Sequence, residues 1–369
     1  MKRTQLFDYH RRNGKLTEFA GYEMPLWYTS ITDEHLAVRN ACGIFDVSHM
    51  GRFAVKGKGS AALLEALVPT DVRSQQAGKS FYTLLLNDGA GIIDDLIILR
   101  RAEDEFLAVV NAANKDRDLA HMKRAAGGDV EIEDQTSTSA MMALQGPRAA
   151  QVLAPLVGID LASLKRFRSA DTAVLGNPCT VSRTGYTGED GFEIIVRDAT
   201  VEEPQRAMDV WNALAKSAKP CGLGARDSLR LEAGYPLHGS DIDERTNPFE
   251  AGLSWVLSAG KTGYVGSEAV SRMRGAPPTI VTKGIVLDQG IPRHGFDVLD
   301  SNGRIGSVTS GTFSPILKKG IALSKVSASV VDSEAPWVMI RQERSSGHFT
   351  KPPFYDERLY GWKRQDTGK

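Results

Sequence analysis

The sequence predicts a mixed α+β protein of two or three domains, the last of them all-β. Three observations lead there. A chain of 369 residues exceeds one ordinary core, at roughly 150 residues per domain. Helical and strand-like stretches are interspersed over most of the chain. From about residue 284 onward, short strands alternate with Gly, Asn, Ser and Pro turns, the pattern of a barrel or sandwich.

The elements follow in order. Residues 31–41 read as a helix capped by Thr32 or Asp33 and stopped near Gly43. Residues 44–53, with Asp46-Val47-Ser48-His49-Met50, read as one strand. Residues 60–67 form a short helix ended before Pro69, and 114–126 a longer one. Residues 141–144 are a strand leading into Gln145-Gly146-Pro147, which opens another helix. Residues 180–183, 184–191 and 192–196 read as strand, loop, strand. Thr200 and Glu203 form a capping box, opening a helix whose Met208, Trp211 and Leu214 share a face. Residues 225–233 are helical. There is no internal repeat and no low-complexity linker.

The most telling stretch is residues 91–99, Gly-Ile-Ile-Asp-Asp-Leu-Ile-Ile-Leu. Its aliphatic run predicts a strand. Carboxylates in such a run need partners or shifted pKa values. Strand side chains alternate faces, so only one of Asp94 and Asp95 can enter a given cavity. A two-residue Asp88-Gly89 hairpin would place Tyr82 opposite Asp95. A three-residue turn, 102–104, would place Asn111 opposite Asp95 as well. Tyr82, Asp95 and Asn111 then form one polar cluster across three strands. The competing reading is a solvated strand face with ordinary hydrogen bonds.

Composition narrows the class. Hydrophobic content of 41% and charged content of 24% describe a soluble globular protein. The 45 basic and 45 acidic residues cancel, which argues against a general binder of nucleic acid or membrane surfaces. No apolar run is long enough to span a bilayer, and residues 1–8 lack the apolar core of a signal peptide. Cys42, Cys179 and Cys221 are far apart, without metal spacing, and fit a reducing cytoplasm. The histidines are scattered, so no metal is expected.

Other motifs are weaker. Gly222-Leu223-Gly224 lacks the third glycine of a dinucleotide fingerprint, and residues 55–60 lack phosphate-loop spacing. His49 beside Ser48 reads as a hydrogen-bonded structural residue. The stretch 184–194, Thr-Gly-Tyr-Thr-Gly-Glu-Asp-Gly-Phe-Glu-Ile, says more. Its three glycines let a loop pass close to a ligand. Glu193 sits in an apolar strand, where a carboxylate suits a ligand edge with two adjacent N–H donors, such as a pterin, guanidinium or guanine. The alternative is an ion pair with Arg183 or Arg226. Arg226 and Arg230 lie one helical turn apart, where helix-surface ion pairs are the ordinary explanation.

Together these stretches resemble the T-protein family of the glycine cleavage system, the aminomethyltransferases. The resemblance runs through residues 19–26, 45–50, 91–96, 144–147, 185–193, 222–234, 309–315 and 351–353. It implies a three-domain cloverleaf around a central folate channel, with a C-terminal β-barrel. The expected division is 1–52 with 138–245, then 53–137 with 246–277, then 278–369. It implies transfer of the methylene carbon of an aminomethyl-lipoyl group, carried by a partner H-protein, to tetrahydrofolate. Ammonia, 5,10-methylenetetrahydrofolate and dihydrolipoyl H-protein are the products. By motif position Asp95 matches the family's catalytic aspartate, with Asp94 facing away and structural. Met50, Tyr82, Asn111, Tyr186, Glu193 and Arg226 match folate-channel residues, and Arg358 a tail arginine that meets folate. Arg293 resembles an arginine near the mouth that admits the lipoyl arm. Leu99 departs from a tyrosine found in some members, and the tail spacing differs slightly. Two other readings compete: a related folate-dependent demethylase, and a non-catalytic folate-binding protein that assists iron–sulfur assembly.

Overall fold

The computed structural model describes residues 1–330 and 335–365. It is α+β, with three sheets of substance. A six-stranded sheet runs in the order Ser169–Val174, Asn177–Ser182, Gly191–Arg197, Ser139–Gln145, Gly43–Asp46, Lys219–Pro220. A five-stranded sheet runs Lys79–Leu86, Ile92–Ala102, Glu105–Val110, Gly51–Lys56, Glu131–Asp134. Six strands between Ile280 and Thr350 close into a barrel. Residues 331–334 and 366–369 of the expected third domain lie outside the described residues. Among the described residues no helix is long and apolar enough to cross a membrane.

Several elements differ from the sequence reading. The stretch read as one strand over 44–53 is two strands, Gly43–Asp46 and Gly51–Lys56, which enter different sheets. The cause lies between them: Asp46 accepts from the Ser48 backbone at 2.9 Å and the Met50 amide donates to Val47, so the chain turns. The helix Ile31–Asn40 is capped by Ser30, whose hydroxyl accepts from Asp33, and not by Thr32 or Asp33. Thr200 does accept from the Glu203 amide, at 2.9 Å, but the helix begins only at Gln205, so this bond closes a preceding turn.

The barrel is fastened to the helix Leu223–Ala233. Leu231 packs with Val286, Ile321, Leu323 and Phe354. Arg230 is buried and paired with Asp241 at 2.7 Å, and it donates to Ser310 at 2.9 Å. Glu232, also buried, takes hydrogen bonds from the barrel's Ser314 and from Arg39, and meets His35 at 2.9 Å. These charges are satisfied on every side, as buried ions require.

Candidate active site between two sheets

Strand parity builds the site. On Ile92–Ala102, residues 95, 97 and 99 share a face. Ile97 and Leu99 pack with Phe45, Met141, Ala143 and Ile195 of the six-stranded sheet, and with Ala225 and Leu229 of the helix Leu223–Ala233. Glu193 has the parity of Ile195 and is paired across strands with Ala143. Asp95 and Glu193 are therefore presented by two different sheets to one shared interior. Arg226 reaches it from the helix, its Nη2 lying 3.7 Å from Met50 Sδ and its guanidinium 5.0 Å from the centre of the Tyr186 ring.

Asp95 is held on both oxygens. The Tyr82 hydroxyl donates to Oδ2 at 3.0 Å and the Asn111 amide to Oδ1 at 2.9 Å. Burial and the neighbouring Asp94 charge push its carboxyl up to about 7. The Tyr82 ring stacks on Trp255 at 5.6 Å, a residue that sequence gave no reason to single out.

The hairpin register differs from the one expected. Leu84, not Tyr82, is opposite Asp95, and Tyr82 is opposite Ile97. The two-residue Asp88-Gly89 turn is replaced by a longer loop: Leu86 pairs with Ile92, and Asn87 accepts from Gly89 and Gly91 through its side chain. The slip is two residues, so Tyr82 keeps its face and reaches Asp95 diagonally. On the other side the ladder places Ile97 opposite Val109, which carries Asn111 toward Asp95 just past the strand end.

Asp94 lies on the opposite face, fully buried, toward the helix Lys115–Ala125. It accepts from the Asn111 amide nitrogen at 3.0 Å, the Asn111 side chain at 2.8 Å and Asn114 at 2.5 Å. The same Asn111 side chain thus bonds both aspartates. Asn114 also meets His238 Nδ1 at 3.0 Å. Residues 111, 114 and 118 are spaced as a helical stripe, a signal the sequence carried and the reading passed over.

Glu193 is hydrogen-bonded by Thr184. Its expected alternative partner, Arg183, pairs instead with Asp190 through bonds of 2.9 and 2.6 Å. Arg226 has no carboxylate within ion-pair distance among the described residues, and its Nη1 is buried without a partner. An orphaned buried guanidinium nitrogen beside a carboxylate with spare acceptor capacity is an arrangement that a polar ligand completes. Tyr186 stacks on Tyr235 and donates to the Pro236 carbonyl. The loop glycines serve packing: a Cβ on Gly185 would lie 2.0 Å from Gln145 Oε1, and one on Gly188, at φ +80°, 2.2 Å from the Tyr355 hydroxyl.

Two residues stand apart. Arg358 is exposed and forked onto Asp356, at 2.6 Å for the closest pair. Arg293 is exposed on the barrel, with one bond of 3.4 Å to the Gly311 carbonyl. Neither contacts the Asp95 group. Leu99 is a core residue. His49 is buried, but among the described residues its Nδ1 has no hydrogen-bond partner, contrary to expectation. It packs edge-on against Phe19, and burial brings its pKa down to about 3, so it is a neutral core ring. Among the described residues, no group of three or more His, Cys, Asp or Glu side chains is placed to hold a metal.

Two sheets and a closed barrel fastened to the helix Leu223–Ala233 make up the fold of a known class of proteins. The GCVT N-terminal domain matches residues 6–261, and the glycine cleavage T-protein C-terminal barrel domain matches residues 282–356. The chain belongs to the glycine cleavage T-protein family, the aminomethyltransferases. It is 45% identical over 329 residues to the aminomethyltransferase of Thermus thermophilus, covering 88% of this chain and 91% of that one. It is 43% identical over 366 residues to that of Geobacillus kaustophilus, covering 96% and 99%. The crystal structure of the glycine cleavage system aminomethyltransferase T from Bartonella henselae superposes with a TM-score of 0.90 at 34% identity, over 98% of this chain and 99% of that one.

Proposed function

We propose that the interior shared by Asp95, Glu193 and Arg226 carries out the aminomethyltransferase reaction of the glycine cleavage system. The transferase activity itself follows from family membership. The finer reading is that tetrahydrofolate accepts the carbon, that a lipoylated H-protein delivers it, and that the protein works in the cytoplasm. The three buried, free cysteines suit that compartment.

One observation carries the assignment of the site: Arg226 Nη1 is buried and orphaned beside Glu193. A pterin edge offers a carbonyl acceptor next to ring N–H and amino donors, which fits an arginine donor and a carboxylate acceptor side by side. Asp95 sits on the other sheet, where it can take a hydrogen bond from the attacking folate nitrogen. With its pKa pushed up to about 7, it exchanges a proton readily at neutral pH. Tyr82 and Asn111 fix its orientation, and the apolar residues Ile97 and Leu99 keep water from its flank. The reaction consumes the aminomethyl-thioether and releases ammonia and the free thiol, with the carbon bound to folate. Met50 and Tyr186 both touch the Arg226 guanidinium and contribute to the wall of the same site. Arg293 and Arg358 are solvent-facing and free of this cluster, which suits contacts with the partner and the folate tail.

The test is turnover with aminomethyl-loaded H-protein and tetrahydrofolate, set against sarcosine or dimethylglycine with tetrahydrofolate. Methylenetetrahydrofolate formed only with the loaded H-protein supports the reading. Product formed only from the methylated amines replaces it with a demethylase. Folate binding without turnover on any donor leaves a binding protein.

A further inference from the structure

Behind the Asp95 strand lies a second carboxyl that the transfer chemistry does not touch. Asp118, on the helix Lys115–Ala125, is fully buried. Among the described residues, neither of its oxygens receives a hydrogen bond from an N–H or hydroxyl donor. The carboxyl group that acts on it most strongly is that of Asp94, itself fully buried. Two adjacent buried carboxyls cannot both be ionised, and the supply of donors decides which one keeps the charge. Asp94 receives three N–H bonds, from Asn111 N, Asn111 Nδ2 and Asn114 Nδ2. Asp118 receives none. Asp94 is therefore the anion, and the proton between the two belongs to Asp118.

We propose that Asp118 is a positioning residue: a neutral carboxylic acid that donates a hydrogen bond to Asp94 and so holds Asn111, and through it Asp95, in place. The bonds from Asp94 to Asn111, from Asn111 to Asp95 and from Asp95 to Tyr82 are in place, and a proton on Asp118 shared with Asp94 extends the chain by one member. The Asn111 amide has two hydrogens and three acceptors within 3.0 Å: Asp94 Oδ1, Asp95 Oδ1 and the Asp95 carbonyl. Its orientation is therefore sensitive to where Asp94 sits. The groups facing Asp118 agree with a neutral acid. The Asp94 and Asp95 carboxyls on the strand both oppose a charge on Asp118. Arg117, on its own helix, is engaged with Glu244 and the Ile93 carbonyl. His238 lies beyond Asn114, with its Nε2 bonded to the Ile92 carbonyl. Burial and the Asp94 charge push the Asp118 carboxyl up to about 10.

The proposal rests on the reading of Asp95 given above, so one measurement is independent of activity. Infrared difference spectra between wild type and Asp118→Asn, at pH 8, should contain the carbonyl stretch of a protonated carboxylic acid, lost in the variant. Absence of that band overturns the proposal whatever the enzyme's substrate. Asp118→Asn keeps a neutral N–H donor, so turnover should stay within about threefold and the acidic limb of the pH–rate profile should not move. Asp118→Leu keeps neutrality and bulk but not the donor. It should fold by circular dichroism and bind folate normally. Its kcat should fall about tenfold or more, as for a small displacement of a reacting group, and its acidic limb should move to higher pH because the Asp94 charge is no longer shared. An Asn variant whose acidic limb moves to lower pH would mean that Asp118 is ionised, and a Leu variant with full kcat would mean that it positions nothing. Either result overturns the proposal. If Leu does not fold, the infrared band and the Asn pH profile decide alone.

Discussion

The Tyr82 hydroxyl donates to Asp95 Oδ2 at 3.0 Å across a diagonal between neighbouring strands. It is the hydrogen bond through which the Lys79–Leu86 strand acts on the reacting carboxyl, and it favours the ionised form. Tyr82→Phe removes the donor and keeps the ring against Trp255. The acidic limb of kcat/KM should shift to higher pH and kcat at neutral pH should fall several-fold, with folate affinity nearly unchanged. A pH–rate profile checks this. An unmoved limb would show that the bond does not tune Asp95.

Asp95 itself should show a trade between activity and stability. Asp95→Asn should fold and bind folate but lose about 10²-fold or more in turnover, the scale of a positioned base. Its pKa is raised from 3.8 to about 7. The folded state thus holds the proton more tightly than the unfolded chain. That contribution is full below the unfolded value and is lost as pH rises through about 7. The wild type therefore loses stability from pH 5 to pH 8 at this site, and the Asn variant does not. Melting curves at both pH values should show the variant gaining on the wild type at pH 8. Asp94→Asn removes the charge that raises Asp95, so its acidic limb should move to lower pH.

Glu193 should report on folate alone. Its removal leaves ligand donors unpaired, at a cost of roughly 1–3 kcal/mol, so Glu193→Ala should weaken tetrahydrofolate binding about tenfold or more. Calorimetry on the folded variant measures it. Arg183→Ala, which breaks the Asp190 pair, should leave the folate affinity intact.

Arg293 should report on the partner. Arg293→Ala should raise the apparent Michaelis constant for H-protein and spare folate binding, because the side chain is exposed on the barrel and, among the described residues, bonded only to the Gly311 carbonyl. Steady-state kinetics at limiting H-protein decide it. Identical constants would remove Arg293 from the docking face.

The sequence by itself determined the parity of the site. An aspartate in an aliphatic strand, a tyrosine upstream and an asparagine downstream must share a face if both registers slip by even numbers. That is why Tyr82 and Asn111 reach Asp95 although the hairpin loop was misjudged. The carboxylate at Glu193 and the barrel at the C-terminus were legible for the same reason, since alternation and turn residues are local. Tertiary structure decided what no local pattern encodes. It brought the faces of two sheets together, so that Asp95 and Glu193 look into one interior. It split residues 44–53 between sheets, with a turn at Asp46–Met50 in which the Ser48 N–H donates to the Asp46 carboxylate. It left Arg226 Nη1 without a partner and made Asp118 the neutral member of a carboxyl pair. Both outcomes depend on how many donors surround a buried group, and that number is set only when distant segments have packed.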